Sequence, residues 1–389
     1  MQFSKRLDRF GEGVFSSLLT IKNRRLANGE LVIDLSVGAP NIPPAKHIID
    51  VLVEEVQKPQ NYVYAISDTA ELQDAAAAWY LRRYGVELDP RSEVSSLLGS
   101  QEGLGHIALA FADEGDYILV PEPCYPVFGD GPAIAGAQIY HMPMLAEKDY
   151  IIDLRDIPTD IARKAKLMTV SYPNNPTTAV APDSFYHDLI AFAKEFDIAV
   201  LHDNAYSELV FDGRTTGSFL AYEGAKDVGV EFNSLSKTYG LAGARVGFCL
   251  GNREIVGAVK TLKSNMDYGI FLPIQKAAVA AITGDQSCVE TTRMAYQHRR
   301  DVLCEAFDAI GWHIDKCVST MFLWAKIPDG FESSQDFASQ LVEKTGVIVT
   351  PGTAFGPSGE GFVRLALVQD EDVILKAAAA IRDSGLLRK

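Results

Sequence analysis

Residues 234–240 combine side chains that can bind an anion with one that can form a covalent bond to a carbonyl compound. They read Ser-Leu-Ser-Lys-Thr-Tyr-Gly, and Arg245 follows shortly after. Arginine binds phosphate oxygens through two parallel hydrogen bonds, and the hydroxyls of Ser234 and Ser236 add further hydrogen-bonding groups. The primary amine of Lys237 can form a Schiff base with an aldehyde. The cluster therefore predicts a site for a phosphate and an aldehyde.

A phosphate and an aldehyde on one molecule are the chemistry of pyridoxal phosphate, so the cluster points to that cofactor. These residues alone leave an alternative open, in which Lys237 is an ordinary solvated lysine of a surface loop. Other stretches of the chain bear on the choice, because a pyridoxal-phosphate site also needs partners for the planar ring, the ring nitrogen and the ring oxygen.

Two turns that follow predicted strands can add an anion site and an aromatic face. Residues 99–103, Gly-Ser-Gln-Glu-Gly, lie between a strand and a helix. The N–H groups at the start of that helix favour an anion, and Ser100 and Gln101 can add side-chain donors. Tyr125 follows another strand end, where its ring could stack on a planar cofactor. The alternative for residues 99–103 is a plain glycine turn, and the alternative for Tyr125 is a ring that only packs within its turn.

Two further strand ends carry groups that suit a pyridine ring. In residues 172–177, Tyr-Pro-Asn-Asn-Pro-Thr, the prolines fix the turn and leave the Asn175 amide to donate to a ring oxygen. Asp203 ends an apolar run, and a buried carboxylate needs a cation or donor such as a pyridinium N–H. Tyr206 could share the ring oxygen. His202 is expected to pack rather than to catalyse, and a plain Asn-Pro turn remains the alternative at Asn175.

Arg364 lies within the apolar stretch 361–367, Gly-Phe-Val-Arg-Leu-Ala-Leu. A guanidinium in a short apolar strand must face an anion or a cleft wall. The α-carboxylate of a substrate would serve, and a structural salt bridge is the alternative.

The elements that must position these groups alternate between strand and helix from about residue 93. This alternation predicts a three-layer α/β/α domain with a mostly parallel sheet, whose ligand lies at the carboxyl ends of the strands. After about residue 280 the pattern restarts as a smaller α/β unit. The predicted division is 1–45, an N-terminal arm and part of the small domain; 46–280, the large cofactor-binding domain; and 281–389, the small C-terminal domain.

Composition limits the partners and the compartment. The 389 residues carry a net charge of −15, which argues against nucleic acid as a partner. The sequence has neither a signal-peptide pattern nor an apolar run of about 18 residues, so no membrane span is predicted. Five widely spaced cysteines form neither a disulfide framework nor a Cys-x-x-Cys metal pair. We expect a cytoplasmic protein without a metal site.

In its motifs the chain resembles the pyridoxal-phosphate-dependent aminotransferases of class I and II, which have the aspartate aminotransferase fold, fold type I. The motifs are Tyr-Pro-Asn-Asn-Pro-Thr at 172–177, His-Asp-Asn-Ala-Tyr-Ser-Glu at 202–208 and Ser-Leu-Ser-Lys-Thr-Tyr at 234–239. The resemblance covers nearly the whole chain. Residues 263–271, 349–352 and 356–362 are similar to the LL-diaminopimelate aminotransferase-like branch. Gln101 departs from that branch, where lysine is frequent, and this puts substrate specificity in doubt.

The resemblance implies a role for each of these residues. Lys237 carries the Schiff base and moves the proton, and Asp203 pairs with the ring nitrogen. Asn175 and Tyr206 bind the ring oxygen, and Tyr125 stacks on the ring. The substrate carboxylate is bound by Arg364 and the Gly38 backbone. The phosphate is bound by Ser100, Gln101, Ser234, Ser236 and Arg245.

Family members are homodimers with shared active sites, in which a tyrosine of an early loop reaches the phosphate of the other subunit. Tyr64 is the candidate for this role and Tyr62 is the rival.

The activity implied is amino transfer between an L-amino acid and a 2-oxo acid, with glutamate and 2-oxoglutarate as one pair. LL-diaminopimelate and several other amino acids remain open as the second substrate. A carbon–sulfur β-lyase of the same fold is the alternative enzyme. A ligand-binding regulator is disfavoured, because the resemblance begins within the first forty residues and the acidic chain leaves no room for a basic DNA-binding segment.

Overall fold

The computed structural model describes residues 1, 3, 4, 6, 7, 10 and 14–387, so parts of the predicted N-terminal arm lie outside the described residues. The α-helices are α1 (Val14–Ala27), α2 (Lys46–Val56), α3 (Ala70–Tyr84), α4 (Ser100–Phe111), α5 (Val127–Ala135), α6 (Thr159–Ala162), α7 (Asp183–Phe196), α8 (Ala225–Val228), α9 (Leu235–Thr238), α10 (Arg253–Met266), α11 (Leu272–Thr283), α12 (Ser287–Asp308), α13 (Ser334–Thr345) and α14 (Glu371–Ser384). The strands are β1 (Ile33–Asp34), β2 (Val94–Leu97), β3 (Tyr117–Glu122), β4 (Gln138–Pro143), β5 (Ala165–Ser171), β6 (Ala199–Asp203), β7 (Gly229–Ser234), β8 (Gly247–Gly251), β9 (Phe322–Lys326), β10 (Val347–Ile348), β11 (Thr350–Pro351) and β12 (Phe362–Ala366).

The large sheet has seven strands in the order β2-β8-β7-β6-β5-β3-β4. Only β8 runs against its neighbours β2 and β7, and the other pairs are parallel. The strands β6 and β7 are buried along almost their whole length, as parallel strands covered on both faces are. The predicted α/β class with a mostly parallel sheet is confirmed.

Helices cover both faces of this sheet, because successive strand residues enter two different apolar cores. Leu167 packs with α4, α5 and α10, whereas Met168 packs with α3, α7 and α11. Val200 and Leu201 divide between the two cores in the same way. The side chains of a strand alternate between faces, so this division produces the predicted three layers.

A smaller unit follows, with the antiparallel sheet β11-β12-β9 and helices α12, α13 and α14 around a third core. The N-terminal β1 joins it, since Ile33 pairs in parallel with Val347 of β10. The predicted boundary between residues 280 and 281 falls within α11, which packs on α2 and α3. The domain limits stay a prediction.

The polar residues singled out above lie at one edge of the large sheet. Asp203 ends β6 and Ser234 ends β7, and these two parallel strands are neighbours. β2 leads into Ser100 at the start of α4, and Tyr125 comes three residues after the end of β3. The carboxyl ends of parallel strands meet at one edge, which is where α/β sheets bind ligands. Among the described residues, no helix is both long and apolar enough to cross a membrane.

Two glycines of α4 give a matched test of how tightly this helix packs on the sheet. A Cβ at Gly103 would lie 2.6 Å from Phe232 Cε2 and 2.8 Å from Leu97 Cδ1, whereas a Cβ at Gly105 would meet no atom within 4 Å. We predict that Gly103→Ala lowers the free energy of unfolding by about 1–3 kcal/mol through overpacking. Gly105→Ala should raise it by up to about 1 kcal/mol through helix propensity. Urea denaturation of both variants checks this, and equal effects would contradict it.

Candidate active site

A cavity of about 460 Å³ lies where the strand ends of the large sheet meet β9 and β12 of the small unit. It brings together most of the residues predicted from the sequence, namely Gly38, Ser100, Gln101, Tyr125, Asn175, Asp203, Tyr206, Ser234, Ser236, Lys237, Arg245 and Arg364. These residues come from segments separated by more than 300 positions in the chain, so the fold assembles the group.

Lys237 projects from the short helix α9 directly after β7, and its Nζ donates a hydrogen bond to the carbonyl of Gly38 at 2.9 Å. Burial and, to a smaller extent, the nearby cations of Arg364 and Arg245 lower the pKa of Lys237 to about 8, against the opposing charge of Asp203. A lysine with this pKa is partly neutral near pH 7.5. The neutral amine is the form that can act as a nucleophile or a base.

Asp203 is 6% exposed, and no donor among the described residues reaches its Oδ1. Burial raises the pKa of this carboxyl to about 6, although the charge of His202 opposes the rise. A buried carboxylate oxygen without a partner is costly, and a cationic N–H would satisfy it. His202 points elsewhere, with Nδ1 2.9 Å from Glu231 Oε2, as expected for a packing residue.

The end of the cavity nearest α4 offers several donors to an anion. Gly99 has a φ of +75°, and a Cβ there would clash with the guanidinium of Arg245. Only glycine therefore allows Arg245 to lie this close to the backbone of residue 99. Ser100 begins α4, and the N–H groups of a helix start favour a phosphate. Ser234 and Ser236 line the same cavity and are buried. Together these groups suit a phosphate dianion.

Gln101 is hydrogen-bonded to Tyr125, the residue expected to stack on the cofactor ring. The hydroxyl of Tyr125 donates to Gln101 Oε1 at 2.9 Å. This bond uses the amide oxygen of Gln101 and leaves its Nε2 donors for an anion.

Asn175 and Arg364 form one hydrogen-bonded unit. The Arg364 guanidinium is 5% exposed, and it donates to Asn175 Oδ1 at 2.8 Å and to the carbonyl of Ser36 at 2.9 Å. Because Oδ1 accepts from Arg364, the Nδ2 donors of Asn175 are the groups left for a ring oxygen. Burial lowers the pKa of Arg364 to about 10. It is therefore cationic at neutral pH.

Tyr206 is a neutral phenol in this environment. Its ring is buried, and it contacts Phe322 edge to face with a centroid distance of 5.9 Å. Burial raises the pKa of Tyr206 far above its ordinary value, with Asp203 adding to the rise. The hydroxyl therefore stays protonated and can donate a hydrogen bond.

Tyr64 and Tyr62 do not line the cavity of their own chain. Tyr64 is 85% exposed and lies near Tyr268. Tyr62 donates its hydroxyl to the carbonyl of Val56 at 2.7 Å and packs against Phe271. The hydroxyl of Tyr62 is thus already engaged, which favours Tyr64 over Tyr62. The role itself stays a prediction.

The sequence reasoning missed Ser36 and Phe322, which also line the cavity. Ser36 contributes only its carbonyl, which any residue type could supply. Phe322 lies in a stretch that reads as an ordinary apolar strand. The signal that could have found Phe322 is the pairing of β9 with the strand that carries Arg364, and one sequence does not give that register.

The cavity as a whole fits pyridoxal phosphate. Asp203 offers a buried, unpartnered oxygen for a protonated ring nitrogen, and Lys237 offers a partly neutral amine for the aldehyde. The helix start, the two serines and Arg245 offer an anion cradle.

Comparison with known proteins decides the family. The model of the family described as aminotransferase class I and II matches residues 30–381. The chain belongs to the class I and II aminotransferases. It is therefore a pyridoxal-phosphate-dependent enzyme of amino-group transfer, as the motifs predicted.

The similarity to individual relatives extends along nearly the whole chain. The chain is similar to an LL-diaminopimelate aminotransferase of Moorella thermoacetica, with 42% identity over 383 residues and 98% of each chain covered. The solved structure of substrate-bound BacF from Bacillus subtilis matches with 35% identity, a TM-score of 0.94 and 98% of each chain covered. A probable N-succinyldiaminopimelate aminotransferase from Thermus thermophilus matches with 35% identity and a TM-score of 0.90, over 96% of this chain and 100% of that one. These likenesses favour amino transfer over the lyase alternative.

The pKa of Lys237 gives a test that needs no cofactor. Only the neutral amine reacts with acetic anhydride, so labelling of Lys237 in the cofactor-free protein should rise with pH through a midpoint near 8 rather than near the ordinary 10.5. Arg364→Met should move the midpoint upward, because Arg364 contributes to the lowering. Mass spectrometry of trace-labelled peptides measures both midpoints. A parent midpoint near 10.5 would contradict the account.

Proposed function

We propose that this aminotransferase moves an amino group between an L-amino acid and a 2-oxo acid, with glutamate and 2-oxoglutarate as one pair and LL-diaminopimelate as the first candidate for the other donor. The observation that carries the proposal is the buried Arg364 guanidinium, which lines the same cavity as Lys237. A cation in that position suits the α-carboxylate common to all these substrates. The choice of LL-diaminopimelate is supported by the 42% identical relative of that name.

The roles proposed for the cofactor-binding residues follow from their environments. When bound, pyridoxal phosphate supplies an aldehyde and a ring that accepts electrons. Asp203 keeps the ring nitrogen protonated, since its unpartnered oxygen is best satisfied by a cationic N–H. Asn175 Nδ2 and the Tyr206 hydroxyl donate to the ring oxygen, and Tyr125 stacks on the ring. The phosphate is held by Ser100, Gln101, Ser234, Ser236 and Arg245.

Lys237 moves the proton on which the reaction depends. As a neutral amine its Nζ takes the proton from the substrate α-carbon, and it can return that proton at a second carbon. Arg364 and the Gly38 backbone orient the α-carbon by holding the carboxylate. Lys237 donates to the carbonyl of Gly38 at 2.9 Å, so the base and the carboxylate site share one segment.

A second candidate donor is a neutral L-amino acid. The charged residues that line the cavity within the described chain are Asp203, Lys237, Arg245 and Arg364, and each has a role above. The rest of the lining is neutral, with apolar members Val37, Ala39, Leu104, Ala242 and Phe322. LL-diaminopimelate carries a second ammonium and carboxylate, which this lining would bind only through neutral polar groups.

We also propose a cytoplasmic homodimer in which Tyr64 reaches the phosphate of the partner subunit. The neighbouring residues Tyr62, Val63 and Ile66 are 61–70% exposed. A second copy would cover this apolar loop, since exposed apolar patches mark interaction sites. The five free cysteines suit a reducing compartment.

The cofactor absorbance of the holoenzyme tests the substrate proposal when single L-amino acids are added without an oxo acid. LL-diaminopimelate and L-glutamate should each convert the aldehyde form to pyridoxamine phosphate. Conversion by L-alanine, L-methionine or L-phenylalanine but not by LL-diaminopimelate would favour the second candidate. Release of pyruvate and ammonia while the aldehyde form persists would contradict amino transfer. Lys237→Arg is the control, and it should show no conversion.

A further inference from the structure

Two aromatic rings contact the guanidinium of Arg364. Its Cζ lies 4.0 Å from the ring centroid of Phe322 and 4.6 Å from that of Phe355. Both distances lie within the range of about 6 Å over which a cation is attracted to the face of an aromatic ring. Phe322 and Phe355 are both buried. We refer to these two residues as the aromatic pair.

The two rings reach Arg364 from the strands on either side of β12. On one side β9 pairs with β12, with Phe322 opposite Ala366 and Trp324 opposite Arg364. On the other side Thr350 of β11 lies opposite Arg364, and the turn Gly352–Phe355 follows directly. The three-stranded sheet therefore positions Phe322 directly, and it positions Phe355 through the turn that follows β11.

The aromatic pair contacts a buried guanidinium that has no acidic partner in the described chain. Among the described residues, no carboxylate forms an ion pair with Arg364, and its Nε has no hydrogen-bond partner. A guanidinium has five N–H donors. Two of them bind Asn175 and Ser36, which leaves three for another group.

We propose that Phe322 and Phe355 are positioning residues that hold the Arg364 guanidinium ready for the carboxylates of the amino acid and the 2-oxo acid. The inference rests on the proposed role of Arg364. A buried cation needs stabilisation, and a carboxylate partner would supply it but would compete with the substrate. The negative face of a ring stabilises the cation without using its N–H donors.

Phe355 is the better residue for a test, because it acts through Arg364 and is not part of the cavity lining. Its segment is also fastened to the large domain: the Cys124 N–H donates to the Phe355 carbonyl at 2.8 Å, and the Ser358 hydroxyl donates to Glu122 Oε1 at 2.6 Å. These bonds should keep the backbone in place when the ring is removed.

We expect Phe355→Leu to raise the KM for the amino acid and for the 2-oxo acid by about 5- to 30-fold, the range between a partly and a fully desolvated cation–π contact. The kcat should stay within about twofold, because the proton transfer at Lys237 does not involve the ring. The Kd of succinate, a dicarboxylate without an amino group, should rise by a similar factor in titration calorimetry of the holoenzyme. Phe355→Met, which also lacks a ring, should reproduce these changes.

Phe362→Leu is the matched control. Phe362 lies on the same strand as Arg364, but its ring stacks on Trp324 with a centroid distance of 5.3 Å. It should leave both KM values and the succinate Kd close to those of the parent. Thermal unfolding of all variants shows whether a change in KM reflects general loss of structure.

Arg364→Lys separates failure of this inference from failure of the proposed function. If Arg364→Lys leaves both KM values unchanged, Arg364 does not bind the carboxylate and the proposed role is wrong. If Arg364→Lys raises both KM values while Phe355→Leu behaves as Phe362→Leu does, the role of the aromatic pair alone is overturned. A fall in kcat with unchanged KM in Phe355→Leu would also overturn it.

Discussion

Burying a charged group without a partner of opposite charge costs several kcal/mol, and this chain does so twice in one cavity. Asp203 has a carboxylate oxygen that no described donor reaches, and Arg364 has no carboxylate partner within the described chain. Both groups are held by strands whose other residues are almost wholly buried. The surrounding fold supports this arrangement, and in the proposed function the cofactor and the substrate supply the groups that satisfy the two charges.

The charges in the cavity also set one another's protonation. After burial, Arg364 and Arg245 are the main reasons why the pKa of Lys237 falls to about 8. Lys237 in turn opposes the effect of burial on Asp203. By placing these charges together, the fold gives the amine and the carboxylate pKa values suited to neutral pH. A substitution at one of these residues therefore changes the pKa values of the others.

Much of this site could be predicted because its residues lie in short motifs at strand ends. Lys237 and Asp203 each follow an apolar run, so the sequence shows both the residue type and its place at the sheet edge. The aromatic pair could not be found in this way. Its contacts with Arg364 depend on the register of β9, β11 and β12, which join segments that carry no local signal for pairing.

Local sequence patterns show where a helix forms more directly than they show where a domain ends. Helix α7, Asp183–Phe196, forms where an apolar face repeats along the chain. The predicted boundary between residues 280 and 281 lies inside α11, which packs on α2 and α3, and the domain limits stay a prediction. Packing between distant segments decides where a domain ends. The role of Tyr64 depends on a second chain and is beyond what one sequence shows.

The central claim is that the fold holds Asp203 ionised and unpaired for a cationic group. The most direct test is the pH dependence of the difference in unfolding free energy between Asp203→Asn and the parent, measured by urea denaturation without cofactor. Burial raises the pKa of Asp203 from 3.8 to about 6, so the ionised carboxylate destabilises the folded state above pH 6, and this cost is lost as the pH falls toward 4. At about 1.4 kcal/mol per pKa unit, the variant should be more stable than the parent by up to about 3 kcal/mol at pH 8, and the gain should fade near pH 4. A variant less stable than the parent at pH 8, or a gain that does not change with pH, would contradict the account.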